Sequence, residues 1–539
     1  MTRPRSGVTS SLTGTGQLVR LILRRDRVIL PSWVLGLTVI VLGTASKLGG
    51  LYPDAESRRK LAEGIATNPG IRALYGRAFD LSTVGGIVAW RLSGTIAVIV
   101  ALMTLFSVVR HTRAEEEAGR RELVGATVVG RHAPLTAALA VSAGASLVLA
   151  VLLGAGLTAQ GLPAGGSFGY GLAIAGSGVV FAAVAAVTAQ LTESSRAANG
   201  MAAAVLGLSY LLRAAGDVST GGRWLVWLSP GGWMEEVRPY TQQRWWPFGL
   251  AVAFAAASVV SAYLLVARRD LGAGLVPPRP GPAAASPRLR GPFALAWRLQ
   301  RGVLIGWVAG YAVLGGVLGS LAKGVGDLLG GNRTLEDMFH RMGGHQGMTD
   351  AYLASVMGIM GMVVGLYAVQ STLRLRSEET ASRAEPVLAT TVGRLRWVAS
   401  HLAFPVLGTA AVLGAGGLAA GLVHGLRTHD VGHQVPRVLA GALVQLPAAW
   451  IGAAVALALF GLAPRRVTVA WGLMTAYLVL GEFGPLLKLS HWVMDVSPYS
   501  HIPKIPGGDM RAAPLLWLTG LAAVLAAAGM ANFRRRDVG

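Results

Sequence analysis

The sequence predicts an all-α polytopic membrane protein of twelve transmembrane helices, arranged as two tandem six-helix halves. Three observations predict it. Of the 539 residues, 53% are apolar and 14% charged, whereas soluble domains carry about 25% charged residues. The apolar residues come in blocks of about 20, the length of helix that crosses a bilayer's hydrocarbon core. A polar 19-residue segment also occurs twice, each time after the second block of its half. Lipid offers no partner to an unpaired backbone group, so runs this long must be helical. Soluble enzymes, disordered chains, collagen-like chains and nucleic-acid-binding domains are all poor fits to this composition.

Residues 1–27 form an amphipathic segment that ends in Arg24, Arg25 and Arg27. It has no apolar core before Val28 and does not read as a cleavable signal. The first half occupies 28–267, with spans at roughly 28–49, 92–110, 135–158, 168–190, 198–212 and 248–267. A linker and connecting helix follow at 268–301; residues 271–292, rich in Pro, Ala and Gly, read as semi-extended chain. The second half occupies 302–532, with spans at roughly 302–322, 351–372, 401–423, 438–462, 467–481 and 513–532, and 533–539 is a tail.

The two fifth spans are short. One runs from about Asn199 to Leu212 before Arg213, the other from Val467 to about Gly481 before Glu482. Neither reaches the ~20 residues a crossing helix needs, so the stretches through Ser229-Pro230 and Ser497-Pro498 are expected to fold back as short broken helices. Interrupted spans at matching positions in two halves point to a transport pathway. Arg213 and Glu482 place opposite charges at nearly equivalent sites, and a candidate outer gate is their pairing across the pseudo-twofold axis. Snorkelling to the headgroups is the plainer alternative.

The net charge of +22 is distributed as the positive-inside rule expects. With the N-terminus cytoplasmic, the inner segments hold 29 Lys+Arg and 11 Asp+Glu, and the rest holds 19 and 15. Both termini are therefore expected inside, in a multi-pass protein of the cell membrane. Cysteine is absent, which excludes thiol chemistry and disulfides. Lys47, Lys60, Lys323, Lys488 and Lys504 are the five lysines, and none follows a glycine. A phosphate-cradling loop needs that Gly-Lys pair, so no ATP-binding motif is present.

The repeat is the strongest signal in the chain. Residues 113–131, RAEEEAGRRELVGATVVGR, and 376–394, RSEETASRAEPVLATTVGR, match at 12 of 19 positions. The half-ends echo each other as well, Arg268-Arg269-Asp270 against Arg535-Arg536-Asp537. Two like-oriented halves imply an axis along the membrane normal. A solvated connector need only be polar and would not require the same glutamates at the same spacing twice. Glu115, Glu116, Arg120 and Glu122, with Glu378, Glu379, Arg383 and Glu385, are therefore candidate docking residues for a cytoplasmic partner that comes as a pair. Ser382 replaces Gly119 and Pro386 replaces Leu123 in the second copy, so the two surfaces need not be equivalent.

In its order of features the chain resembles ABC-2-type export permeases, whose coupling segment follows a second span. The connections LVWLSPGGWMEEVRPY (225–240) and HWVMDVSPYSHIPKIPGGD (491–509) resemble those of twelve-span actinobacterial permeases associated with polyketide antibiotics of the tetronasin type. The resemblance covers essentially the whole chain. It implies an exporter of hydrophobic drugs or polyketide-type antibiotics, with no cofactor of its own. Energy would come from two copies of a cytoplasmic ABC ATP-binding subunit that carry Mg-ATP. A proton-coupled secondary transporter and a lipid or glycolipid exporter remain open. The first usually carries carboxylates inside spans, and here the acidic residues fall at span ends or in loops. No nucleophile, base or metal set stands out for a membrane enzyme. His424, His429 and His433 share one loop without a clear ligand geometry. Trp224, Trp227, Trp233, Trp245 and Trp246 read as interfacial anchors, and Arg91 reads as a snorkelling residue.

Overall fold

The computed structural model describes the chain outside residues 1–10, 67–71, 73–74, 126–127, 219–220, 271, 277–283, 285, 330–347, 484–489 and 537–539. Its described elements are all helices. The chain divides into two compact units, Met1–Gly281 and Pro282–Gly539.

In the first unit an amphipathic helix, Thr15–Arg25, precedes the spans Ile29–Leu51, Val84–His111, Ala133–Ala159, Ala164–Leu191, Ser195–Val218 and Trp246–Arg268. Local chemistry sets the ends. Thr83 caps the second span by accepting the Gly86 amide at 3.0 Å, and proline opens the third and sixth, where a missing N–H costs nothing. The fourth span is the buried centre of this unit. Small residues let it approach its neighbours; a Cβ on Gly171 would run into the Ala150 carbonyl. The first and sixth spans leave Leu35, Val39, Ile40, Val252, Val260 and Leu264 exposed, as a face turned to lipid should.

The second unit repeats this order. Its opening helix, Pro292–Leu329, runs unbroken through the first span, and Met348–Thr372 is the second span. The third is Arg394–Ala403 continued by Thr409–Thr428, with a wide π turn at Phe404–Gly408 between them. Pro405 supplies the cause, since it has no N–H to donate. Two carbonyls of the turn also accept side chains: Phe404 from the Tyr367 hydroxyl at 3.3 Å and Val406 from the Trp450 indole at 3.3 Å. The fourth span is Val431–Leu443 followed by Leu446–Leu462, the fifth Val469–Phe483 and the sixth Ala512–Arg535.

Ten described helices are long and apolar enough to cross a membrane. The two fifth helices complete the twelve expected positions and depart from expectation in different ways. Ser195–Val218 has 24 residues, about 36 Å at 1.5 Å per residue, so length does not stop it from crossing alone. Arg213 does not end this helix, because Asp217 lies one turn further on and partners it. Val469–Phe483 has 15 described residues and meets residues outside the described ones at its end. After each fifth span come brief helices: Trp224–Trp227 and Pro230–Glu235 in the first half, His491–Met494 and the 3-10 turn Pro498–His501 in the second. Ser229 holds the first pair in place. Its hydroxyl accepts the Gly232 amide at 3.0 Å and donates to the Ser209 carbonyl at 2.7 Å.

Candidate coupling site at the ends of the second spans

Each second span ends in the repeated polar segment, and both copies fold alike. In the first, Arg113–Glu117 continues the span, Gly119 turns the chain at φ +69°, and a second short helix covers Arg120–Gly125. In the other, Arg374–Thr380 leads to Ser382 at φ +51° and then to Ala384–Leu388. The left-handed turn suits glycine and costs a residue with a Cβ about 1–2 kcal/mol, so the serine keeps the turn at some strain.

The glutamates of the repeat face inward. Glu116 is buried at the centre of three arginines: Arg113 at 2.5 Å, Arg269 at 2.8 Å, and Arg121. Arg269 grips both carboxylate oxygens and donates to the Gln190 side chain at 2.8 Å. The equivalent Glu379 is buried between Arg376 at 2.9 Å and Arg536 at 2.5 Å. Arg269 and Arg536 are the matched arginines that follow the sixth spans, so each repeat is bolted to the end of its own sixth span. Arg131 and Arg394 reinforce the bolt, donating to the carbonyls of Arg269 at 2.7 Å and Arg536 at 2.6 Å. Bidentate pairing of this kind fixes orientation as well as energy.

A second pairing closes the turn in each copy. Glu115 accepts from Arg120 at 2.7 Å, and Glu378 from Arg383 at 3.0 Å. The halves then differ in what else they hold. Glu115 also takes Arg25 of the amphipathic helix at 2.5 Å, while buried Asp26 holds His111 at 2.6 Å and Arg110 at 3.3 Å. Glu117 accepts the backbone amide of Ser195 at 2.9 Å, a carboxylate at the start of the fifth helix where the dipole favours it. In the second half Glu378 takes Arg374 at 2.7 Å instead. Arg121 has no counterpart, since Ala384 stands there. Its guanidinium is pushed down to about 10 by burial and by Arg269, Arg113 and Arg131, which leaves it charged at neutral pH.

Glu115, Glu116 and Arg120 thus come together in one cluster, and Glu378, Glu379 and Arg383 in the other. Glu122 and Glu385 stand apart on the exposed tips. The arginines that complete each cluster went unassigned from sequence, although the paired Arg-Arg-Asp ends were visible.

At the other end of the first half, Arg213 is buried against Glu235 at 3.2 Å and Asp217 at 3.5 Å. Its charge is met within its own half, which removes the unpaired-charge argument for a partner in the other. Glu482 lies on the helix Val469–Phe483, and its side chain lies outside the described residues. Glu235 was not singled out by sequence. Burial pushes its carboxyl up to about 7 against the opposing pull of Arg213, so ionisation costs stability as pH rises from about 4.5 to 7. Thermal unfolding of the purified chain should show a falling Tm across that window, and Glu235→Gln should flatten it; an equal slope in both proteins contradicts the assignment.

Neighbouring Glu236 is held by Arg238 at 2.6 Å and Arg223 at 3.2 Å. Arg91 lies over the Tyr75 ring at 4.0 Å. His424 is buried, His429 ends its helix in the left-handed region, and His433 faces Asp430 at 3.3 Å. Among the described residues no three His, Asp or Glu side chains converge as metal ligands would.

Comparison with known proteins agrees with this architecture. A family model described as "Multidrug efflux system permease Rv1217c, C-terminal domain" matches residues 16–265 and 289–534, one stretch in each half. The multidrug efflux system permease protein Rv1217c of Mycobacterium tuberculosis is 46% identical over 530 residues, which cover 98% of this chain and 96% of that one. These matches support a drug-efflux permease family and do not single out the tetronasin type. With its membrane-spanning helices and its match along nearly the whole length, the chain belongs to the Rv1217c family of multidrug efflux system permeases.

Proposed function

We propose that this permease is the membrane subunit of an ATP-driven exporter, worked by two copies of a separate ABC ATP-binding subunit that carry Mg-ATP. The partners seat on the tips at Arg120 and Glu122 and at Arg383 and Glu385, with both termini on the same, cytoplasmic side. The cargo is hydrophobic, of the drug or polyketide-antibiotic class. One observation carries this reading: the same rigid helix–turn–helix occurs twice, each copy bolted by a buried glutamate to its sixth span. A tip fixed in that way passes a push on to two spans at once, which a loose connector cannot do.

The bilayer-facing surface of exposed Leu, Val and Ile and the missing Gly-Lys motif support the division of labour between a permease and an energising partner. The test is efflux of a preloaded hydrophobic antibiotic from cells or vesicles. Efflux should stop when the partner's phosphate-loop lysine is replaced and continue under a protonophore at constant ATP. The reverse pattern would establish proton coupling and overturn this reading.

A further inference from the structure

The first half carries a crevice at the end opposite the repeat, between the first and second spans. The helix Ala55–Ala66, Arg72 and the stretch from Arg77 to Ser82 border an open cavity of about 610 Å³. That lies within the roughly 300–1,000 Å³ of ligand pockets, and it is far more than one phosphate ion needs. Four arginines line it, Arg58, Arg59, Arg72 and Arg77, against the single carboxylate of Asp80. Phe79 and Leu81 give the same cavity an apolar wall.

Arg59 is paired with Glu63 at 3.6 Å, on the same helix; the other three keep donors for a ligand. Arg77 makes no ion pair among the described residues. Arg58 is anchored by one amino group to the carbonyls of Tyr52 and Pro53 at 2.9 and 3.0 Å, yet its Nε is buried with no hydrogen-bond partner. Arg72 is fixed by the Asp217 carbonyl at 2.7 Å, which ties the crevice to the end of the fifth helix. Asp80 turns one oxygen to the Ser82 amide at 2.8 Å. Buried donors of this kind call for an acceptor, and guanidinium groups match the oxygens of phosphate and carboxylate.

We propose that this crevice binds an acidic amphiphile, its phosphate or carboxylate among Arg58, Arg72 and Arg77 and its apolar body along Phe79 and Leu81. The chemistry is shared by an anionic lipid headgroup and by a single-chain acidic compound. The proposal holds whatever powers the permease, because binding needs neither ATP nor a partner.

The experiment uses the full chain, purified in digitonin or placed in phosphatidylcholine nanodiscs. Binding of dodecyl phosphate is measured by equilibrium dialysis, with dodecanol as the neutral control, and retention of phosphatidylglycerol by native mass spectrometry. Arg77→Gln, at an exposed loop position, should weaken binding about tenfold, as the loss of one charge-assisted contact implies. Arg77→Lys should restore most of it, Arg58→Gln should weaken binding as well, and added salt should reduce it in the native protein. A loss confined to phosphatidylglycerol assigns the crevice to lipid; a loss confined to dodecyl phosphate assigns it to a single-chain ligand. Unchanged affinity in both glutamine variants, or dodecanol binding as tightly as dodecyl phosphate, overturns the proposal.

Discussion

Glu116→Gln will be the most damaging single substitution in the polar part of this protein, lowering its stability by about 3–5 kcal/mol. Among the described residues this carboxylate is the one that pairs with all three of Arg113, Arg121 and Arg269. Glutamine keeps the shape and removes the charge, so three guanidinium groups then face one another with little water to screen them. Burial already lowers the proton affinity of Arg269. The repeat should detach from the sixth span, and proteolysis should find the chain between residues 113 and 131. Glu379→Gln should follow the same course with a smaller loss, because two arginines rather than three surround it. Chemical unfolding of the detergent-purified chain measures both; losses under 1 kcal/mol at Glu116 would contradict the bolted arrangement.

Reversing charge at the tips should do the opposite, harming association without harming the fold. Glu122 and Glu385 are exposed and make no ion pair among the described residues, and surface changes away from such contacts usually stay within about 0.5 kcal/mol. Like charges brought together across an interface cost several kcal/mol. The double variant Glu122→Arg with Glu385→Arg should therefore lose the ATP-binding subunit by at least tenfold in co-purification while its Tm holds. Comparing the two single variants separates the halves. The tips differ in Gly119 against Ser382 and Leu123 against Pro386, so unequal effects are expected. A double variant that keeps its partner at native occupancy would show that docking lies elsewhere.

How far the sequence could be read follows from the range of the forces involved. Span positions and the duplication were legible because burial in lipid is written into long apolar runs. The glutamates of the repeat were legible as a matched pair of patterns. Their direction was not: Glu116 and Glu379 face arginines more than 150 positions away, Arg269 and Arg536, and no local pattern reports such a contact. Arg213 misled for the same reason. A lone arginine in an apolar run reads as a stop, yet Asp217 and Glu235 neutralise it and the helix runs on to Val218. The arginine-lined crevice was invisible because Arg58, Arg59, Arg72 and Arg77 look like ordinary loop charges until the chain folds them around one space.

The central claim is that the two bolted repeats are where ATP-binding subunits push. Site-specific photo-crosslinking tests it most directly, with the crosslinker placed at Glu122 in one protein and at Glu385 in another, and the permease expressed in cells that carry out the efflux. Both positions should capture the same ATP-binding subunit, and capture should change between nucleotide-free and ATP-trapped states. Efflux that proceeds normally while neither position captures such a subunit would contradict the account.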